Sequence, residues 1–210
     1  LAFKRANEIS FALSFPAAVA LFVIPLPLVS ALFEHGATAR SDAVAMAQAC
    51  AIYAIGLPAF ILQKVLQPLY FAQEDTKTPF RFAIYAMVVN ASLAIGLMDV
   101  LGWVASAIAT TVSSWVMVGF LVSGAHRFGD MAKVGAEGRQ RLTRIAVAAF
   151  GMGAGLWVLN AFCANYIDTT LLRSLYAPAL VLAGILLYAL LSRLSGAITP
   201  ADLKRALKRS

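Results

Sequence analysis

Lys64 is the residue in this chain whose type and surroundings most suggest chemistry, because it lies in or beside a long apolar run and has Gln63 and Gln67 as neighbours. A cation within a membrane segment is costly and faces a cavity, a partner or the water boundary. Two readings of Lys64 stand side by side. If its helix ends near Glu74, the ammonium lies roughly 15 Å deep and faces a cavity. If the interface lies near Gln63, it snorkels to the surface. A second group is neutral. Asn90 falls in the middle of one apolar run, and Ser106, Thr110 and Thr111 fall in the middle of the next. Such residues commonly hydrogen-bond across helices, and they could also line a polar cavity or hold a small monovalent cation. Asp99, Asp168 and His35 are isolated. No HExxH, P-loop, GxSxG or spaced Cys/His cluster occurs, so an enzyme is not expected and neither is a metal site.

The elements that must position these residues are membrane helices. The chain has 210 residues, of which 61% are hydrophobic and only 13% charged, about half the charge of a soluble domain. Its mean hydropathy is +0.80. Charge-free runs extend over Ile9–Phe33, Ala43–Gln63, Phe82–Met98, Val100–Ala125, Ile145–Ile167 and Ser174–Ser192. Each is close to the roughly 20 residues a spanning helix needs. They lack the apolar–polar alternation of barrel strands. The expectation is therefore an all-α integral membrane protein of six transmembrane helices.

The net charge of +7 reflects topology rather than a nucleic-acid surface. Lys4, Arg5, Lys77, Arg81, Arg127, Lys133, Arg139, Arg141, Arg144, Arg193, Lys204, Arg205, Lys208 and Arg209 all fall on one side of the predicted spans, against Arg40 and Arg173 on the other. That bias places both termini in the cytoplasm. The tail from Thr199 pairs Lys204, Arg205, Lys208 and Arg209 with Leu203 and Leu207, which suits a short helix on anionic lipid headgroups. Lys4-Arg5 before an apolar run resembles a signal peptide, but the run is too long for one. Cys50 and Cys163 lie inside spans as small apolar residues. The opening leucine suggests a piece of a longer protein.

Local signals refine the elements. Pro16, Pro25 and Pro27 should kink or break the first span, and Gly56-Leu57-Pro58 and Pro68 should bend the second. Ser41 or Asp42 is a candidate cap for span two. The Glu74–Pro79 connection is compact, with Thr78-Pro79 biasing the chain towards an extended conformation. Spans three and four are joined by little more than Asp99, and span four carries a small-residue face of Ala105, Ser106, Ala109, Thr110 and Ser113. Asn160 and Asn165 are expected near the membrane interface. Gly151-Met152-Gly153-Ala154-Gly155 has no strand before it, so Gly151 and Gly155 read as a GxxxG packing pair rather than a dinucleotide loop.

At span two the residues become specific. Gly56-Leu57-Pro58-Ala59-Phe60, Lys64-Val65-Leu66, Tyr70, Ala72 and Asp75-Thr76-Lys77-Thr78-Pro79 resemble the MurJ/MviN family, with Asp75, Thr78 and Pro79 as the motif loop. Phe33-Glu34-His35-Gly36 is similar to that family's turn between two helices, and Asn90 suits the pattern. The specific part runs from about Phe33 to Asn90. Spans five and six match only as hydrophobic segments.

The resemblance implies the C-terminal part of a 14-helix, two-lobe transporter of the MOP exporter superfamily. Residues 1–125 would complete the second lobe, 126–144 would form a basic cytoplasmic loop, 145–193 would be two extra helices bordering a lipid-tail groove, and 194–210 a basic tail. It also implies a flippase for a lipid-linked peptidoglycan precursor, lipid II, in the bacterial inner membrane, working by alternating access. Its partners would be membrane lipids, that precursor and the missing N-terminal helices. No cofactor is implied beyond a coupling monovalent cation or the membrane potential. The family's cavity arginines would lie upstream, leaving Lys64, with Gln63 and Gln67, and Arg5 as candidates here. Alternatives are a polysaccharide-lipid flippase or multidrug exporter of the same superfamily, a membrane-embedded enzyme, or a non-transporting envelope scaffold.

Overall fold

The computed structural model describes residues 2–33, 39–126, 128, 136–163 and 170–196, and the side chains of these except 2–8, 136–137 and 170–174. Every described element is helical: α1 Ala2–Val23, α2 Pro25–Phe33, α3 Arg40–Phe71, α4 Lys77–Leu101, α5 Val104–Ala125, α6 Ala136–Cys163 and α7 Thr170–Leu194. Five of these, α3 to α7, are long and apolar enough to cross a membrane. Ile9–Val23 and Pro25–Phe33 make a sixth span if that pair, bent by 82°, is taken as one.

The bend occurs where the sequence places it. A residue before proline is pushed out of the helical region, while proline itself suits the first position of a new helix. Ile24 is therefore the break and Pro25 opens α2. Ile24 is 1% exposed and packs with Val19, Ala149, Met152, Leu156 and Leu180. The break is thus held inside a core shared by α1, α6 and α7.

A second core joins α3, α4 and α5 through Ala59, Leu66, Tyr70, Met117, Val118 and Leu121, with Phe82 and Phe128 against it. The two halves meet where α1 packs on α3, and α2 lies against both α3 and α7. Glycines set the closest approaches. A Cβ on Gly56 would lie 3.2 Å from Thr111 Oγ1, so α3 and α5 nearly touch there. Gly151 and Gly155 face Leu191 and Leu187 of α7, while Gly153, turned the other way, faces Val19 of α1. The GxxxG pair is a packing surface, and the glycine between them serves a second helix.

Several local expectations change. Thr78 and Pro79 are helical, inside the first turn of α4. The helix start outweighs the pre-proline bias because the first-turn N–H groups need no helical acceptor, and the Thr78 N–H donates to Asp75 Oδ1 at 3.0 Å. The α4–α5 turn lies at Gly102, φ +55°, while Asp99 is exposed within the last turn of α4. Asp42 is not the first residue of its cap. It sits at the third helical position and its carboxylate accepts the Ala39 N–H at 3.1 Å. Because α6 begins at Ala136, Arg139, Arg141 and Arg144 lie on a helix. The tail from Thr199, His35, Asn165 and Asp168 lie outside the described residues.

Candidate functional site

Two cavities of opposite character occur on this scaffold. The polar one, about 290 Å³, lies among α3, α4 and α5. Its polar lining is Gln63 and Gln67 from α3, Asn90 from α4, and Ser113 and Ser114 from α5. Asn90 Nδ2 donates to Thr110 Oγ1 and to Ser113 Oγ, each at 3.2 Å. Gln63 Nε2 donates to the Ser114 carbonyl at 3.0 Å. The serine and threonine hydroxyls turn back on their own helix: Thr110 to Ser106 O, and Ser113 and Ser114 both to Thr110 O. Such back-bonding spares the hydroxyls a bare apolar environment and leaves the Thr110 and Ser113 oxygens able to accept the Asn90 amide. Its lining polar groups and a volume many times that of a water give this crevice room and partners for water.

The sequence candidates divide accordingly. Gln63, Gln67, Asn90 and Thr110 belong to one constellation. Thr111 faces the other way, donating to Ile52 O of α3 at 3.0 Å. Ser106 is exposed, and its hydroxyl donates back to Trp103 O at the start of α5 rather than into the crevice. Lys64 is exposed and does not line the crevice, although Gln63 beside it does. Consecutive helical residues point about 100° apart, so Lys64 shares the outward stripe of Tyr53, Pro68 and Phe71. Arg5 lies in α1, where side chains of residues 2–8 are outside the description. Asn160 is not a simple interface residue, because its Oδ1 accepts the Tyr176 hydroxyl at 3.1 Å and ties α6 to α7.

Asp75 does more than mark a loop. The α3 end closes with Asp75 N–H donating to Tyr70 O and Glu74 N–H to Phe71 O, both at 3.0 Å. This is a Schellman closure, whose left-handed position is usually glycine. Here it is Glu74, at φ +56°. Asp75 then starts α4 through its carboxylate. Tyr70, fully buried, sends its hydroxyl to the Leu121 carbonyl of α5 at 2.5 Å. Gly124 permits this, since a Cβ there would lie 2.5 Å from the Tyr70 oxygen.

The second cavity is apolar, about 670 Å³, and lies among α1, α3, α5 and α6. Phe15, Phe22, Pro58, Trp115, Phe150 and Trp157 form much of its wall. Trp115 also donates its indole N–H to Ile55 O at 3.1 Å. No described α7 residue lines it, so the α6–α7 pair contributes one helix rather than two. Sequence reasoning read Ser113 only as part of a small-residue face and Tyr70 only as part of the family resemblance, and it passed over Ser114 and Trp115 altogether.

Apolar helices, one span broken at Ile24, around a neutral polar crevice beside a large apolar groove describe a polytopic membrane protein. Residues 2–177 match the family model described as lipid II flippase MurJ. The chain belongs to that family. It is 33% identical to the probable lipid II flippase MurJ of Rhizobium meliloti (strain 1021), over 98% of this chain and 39% of the relative. It is 32% identical to that of Vibrio cholerae, over 92% of this chain and 37% of the relative. A solved structure described as lipid II flippase MurJ in an inward closed conformation superposes with a TM-score of 0.76 at 21% identity, over 91% of this chain and 38% of that one. The chain thus spans about two fifths of the length of these relatives.

Proposed function

We propose that this chain is the C-terminal portion of a 14-helix lipid II flippase, a transporter rather than an enzyme. It would act in peptidoglycan biosynthesis at the bacterial inner membrane, with both ends cytoplasmic. The observation that carries the proposal is the family match across 2–177, on a fold that sets a polar crevice and an apolar groove on opposite faces of α3 and α5.

The substrate of such a protein has an anionic pyrophosphate–sugar head and a polyprenyl tail, and moves by alternating access. The apolar groove suits the tail, since its wall offers a hydrocarbon chain contact without unsatisfied polar groups. The crevice is neutral, so it can hydrogen-bond sugar hydroxyls or hold water but cannot balance a diphosphate. Charge must come from elsewhere. Lys64, on the outward stripe of α3 and about 10 Å from the helix end at Phe71, is the described cation placed to meet a phosphate between lobes, with Arg5 a second candidate from α1.

The crevice oxygens offer a small coupling cation no charged ligand. They are neutral, Asn90 turns its amide nitrogen toward Thr110 and Ser113, and no cluster of acidic, histidine or cysteine ligands occurs among the described residues.

The test is genetic. The full-length parent is expected to rescue cells depleted of an essential lipid II flippase, and the 210-residue chain alone is expected to fail. Failure of the parent favours the polysaccharide-lipid or drug exporter reading. Rescue by the short chain refutes the placement of the headgroup site in missing helices.

A further inference from the structure

A proline inside a helix removes the N–H that the carbonyl four residues earlier would accept. In a bilayer that carbonyl has no water to turn to, and a donor from a neighbouring helix can replace the lost one. Pro16 is buried in the middle of α1, and the carbonyl it orphans is that of Ala12. The hydroxyl of Tyr188, in α7 and 176 positions away in sequence, donates to this oxygen at 2.8 Å. Tyr188 is half-buried and packs against the α1–α6–α7 core. Its own carbonyl accepts the hydroxyl of Ser192, which is 2% exposed, at 2.6 Å.

We propose that the Tyr188 hydroxyl stands in for the N–H that Pro16 takes from α1, so that α7 fixes the course of α1 past Pro16 and with it one wall of the apolar groove. The residues just after Pro16 on α1 carry that wall: Ala18, Val19, Phe22 and Val23 line the groove, as does Phe15 just before it. Helix α7 contributes no described residue to the groove, yet through this bond it positions those that do. Tyr188 is a positioning residue. That the groove takes a lipid tail rests on the flippase reading, whereas the donor exchange does not.

The exchange has a signature that ordinary packing lacks. Alanine at position 16 restores an N–H to the Ala12 carbonyl, which makes the tyrosine hydroxyl redundant. The test therefore compares the full chain with its Tyr188→Phe, Pro16→Ala and doubly substituted forms by thermal unfolding in detergent. Tyr188→Phe keeps the ring and should lower the midpoint by about 2–4 °C beside Pro16, the effect of one lost hydrogen bond. In the Pro16→Ala background the same substitution should leave the midpoint unchanged. Equal losses in both backgrounds overturn the proposal.

A second readout follows the groove. With Cys50 and Cys163 replaced by alanine, nitroxide labels at positions 22 and 157 report the distance from α1 to α6. Tyr188→Phe should broaden or shift that distance, and an unchanged distribution overturns the positioning role. Neither readout uses a lipid ligand, so a failure of the flippase reading leaves both outcomes intact.

Discussion

Gly153→Ala puts two physical effects in opposition, and the structure decides which one wins. Alanine is the better helix former by about 1 kcal/mol, so the substitution should stabilise α6 if nothing stood nearby. However, a Cβ at position 153 would lie 2.5 Å from Val19 Cγ1 and 3.5 Å from Val23 Cγ2. Carbon atoms in contact settle at about 3.5–4.0 Å, so α1 and α6 must separate locally by about 1 Å. Val19 cannot swing aside, because a β-branched side chain in a helix has essentially one rotamer and this one is 9% exposed, in the core. Backbone displacement of this kind costs about 1–3 kcal/mol. The natural controls are Gly96→Ala and Gly119→Ala, where a Cβ meets nothing within 4 Å. They carry the same propensity gain without the clash. Gly153→Ala is therefore expected to be less stable than either control by about 1–3 kcal/mol, and less stable than or equal to the parent. Equilibrium unfolding in mixed micelles measures the difference. Equal stabilities for the three variants would refute the reasoning, since propensity alone would then account for all of them.

Two further predictions concern the α3–α4 connection and the exposed lysine. Asp75→Ala should lose the donor–acceptor pair that opens α4 and destabilise by about 0.5–2 kcal/mol, whereas Glu74→Gly relieves a left-handed residue and should stabilise by about 1 kcal/mol; the same unfolding assay checks both, and opposite signs are required. Lys64→Gln should leave stability within about 0.5 kcal/mol, as for surface positions, yet reduce complementation by the full-length parent, while Lys64→Arg retains it. Full activity of Lys64→Gln would remove Lys64 from any phosphate-binding role.

Much of the scaffold was legible because hydropathy and proline act locally. The apolar runs located the spanning helices, Pro25 placed the break after Ile24, and Gly151 and Gly155 announced a close helix contact. At Thr78-Pro79 the change from one helix to the next was legible but the local conformation was not, because the pre-proline preference was outweighed by the Asp75 cap three residues earlier. The turn between α4 and α5 followed glycine at 102 rather than charge at 99, since only the glycine accepts the backbone conformation the turn needs. The faces of α5 were the hardest to read. In a segment apolar all round, no polarity contrast marks which side meets which neighbour, so Thr110 and Thr111, adjacent in sequence, went to a crevice and to an opposing helix. The pairing of Tyr188 with Ala12 was invisible for a different reason: the need is written at Pro16, but nothing near it says which helix answers.

The break at Ile24 also bears on the lipid around the protein. Upright, the apolar part of α1, Ile9–Val23, rises about 22 Å at 1.5 Å per residue. Helix α2, turned by 82°, runs almost along the membrane plane and adds about 2 Å of height. The pair thus covers several ångströms less than the roughly 30 Å of a hydrocarbon core. Next to helices of full span, such as α3 and α6, this leaves a short flank at which the bilayer must thin or its headgroups dip inward.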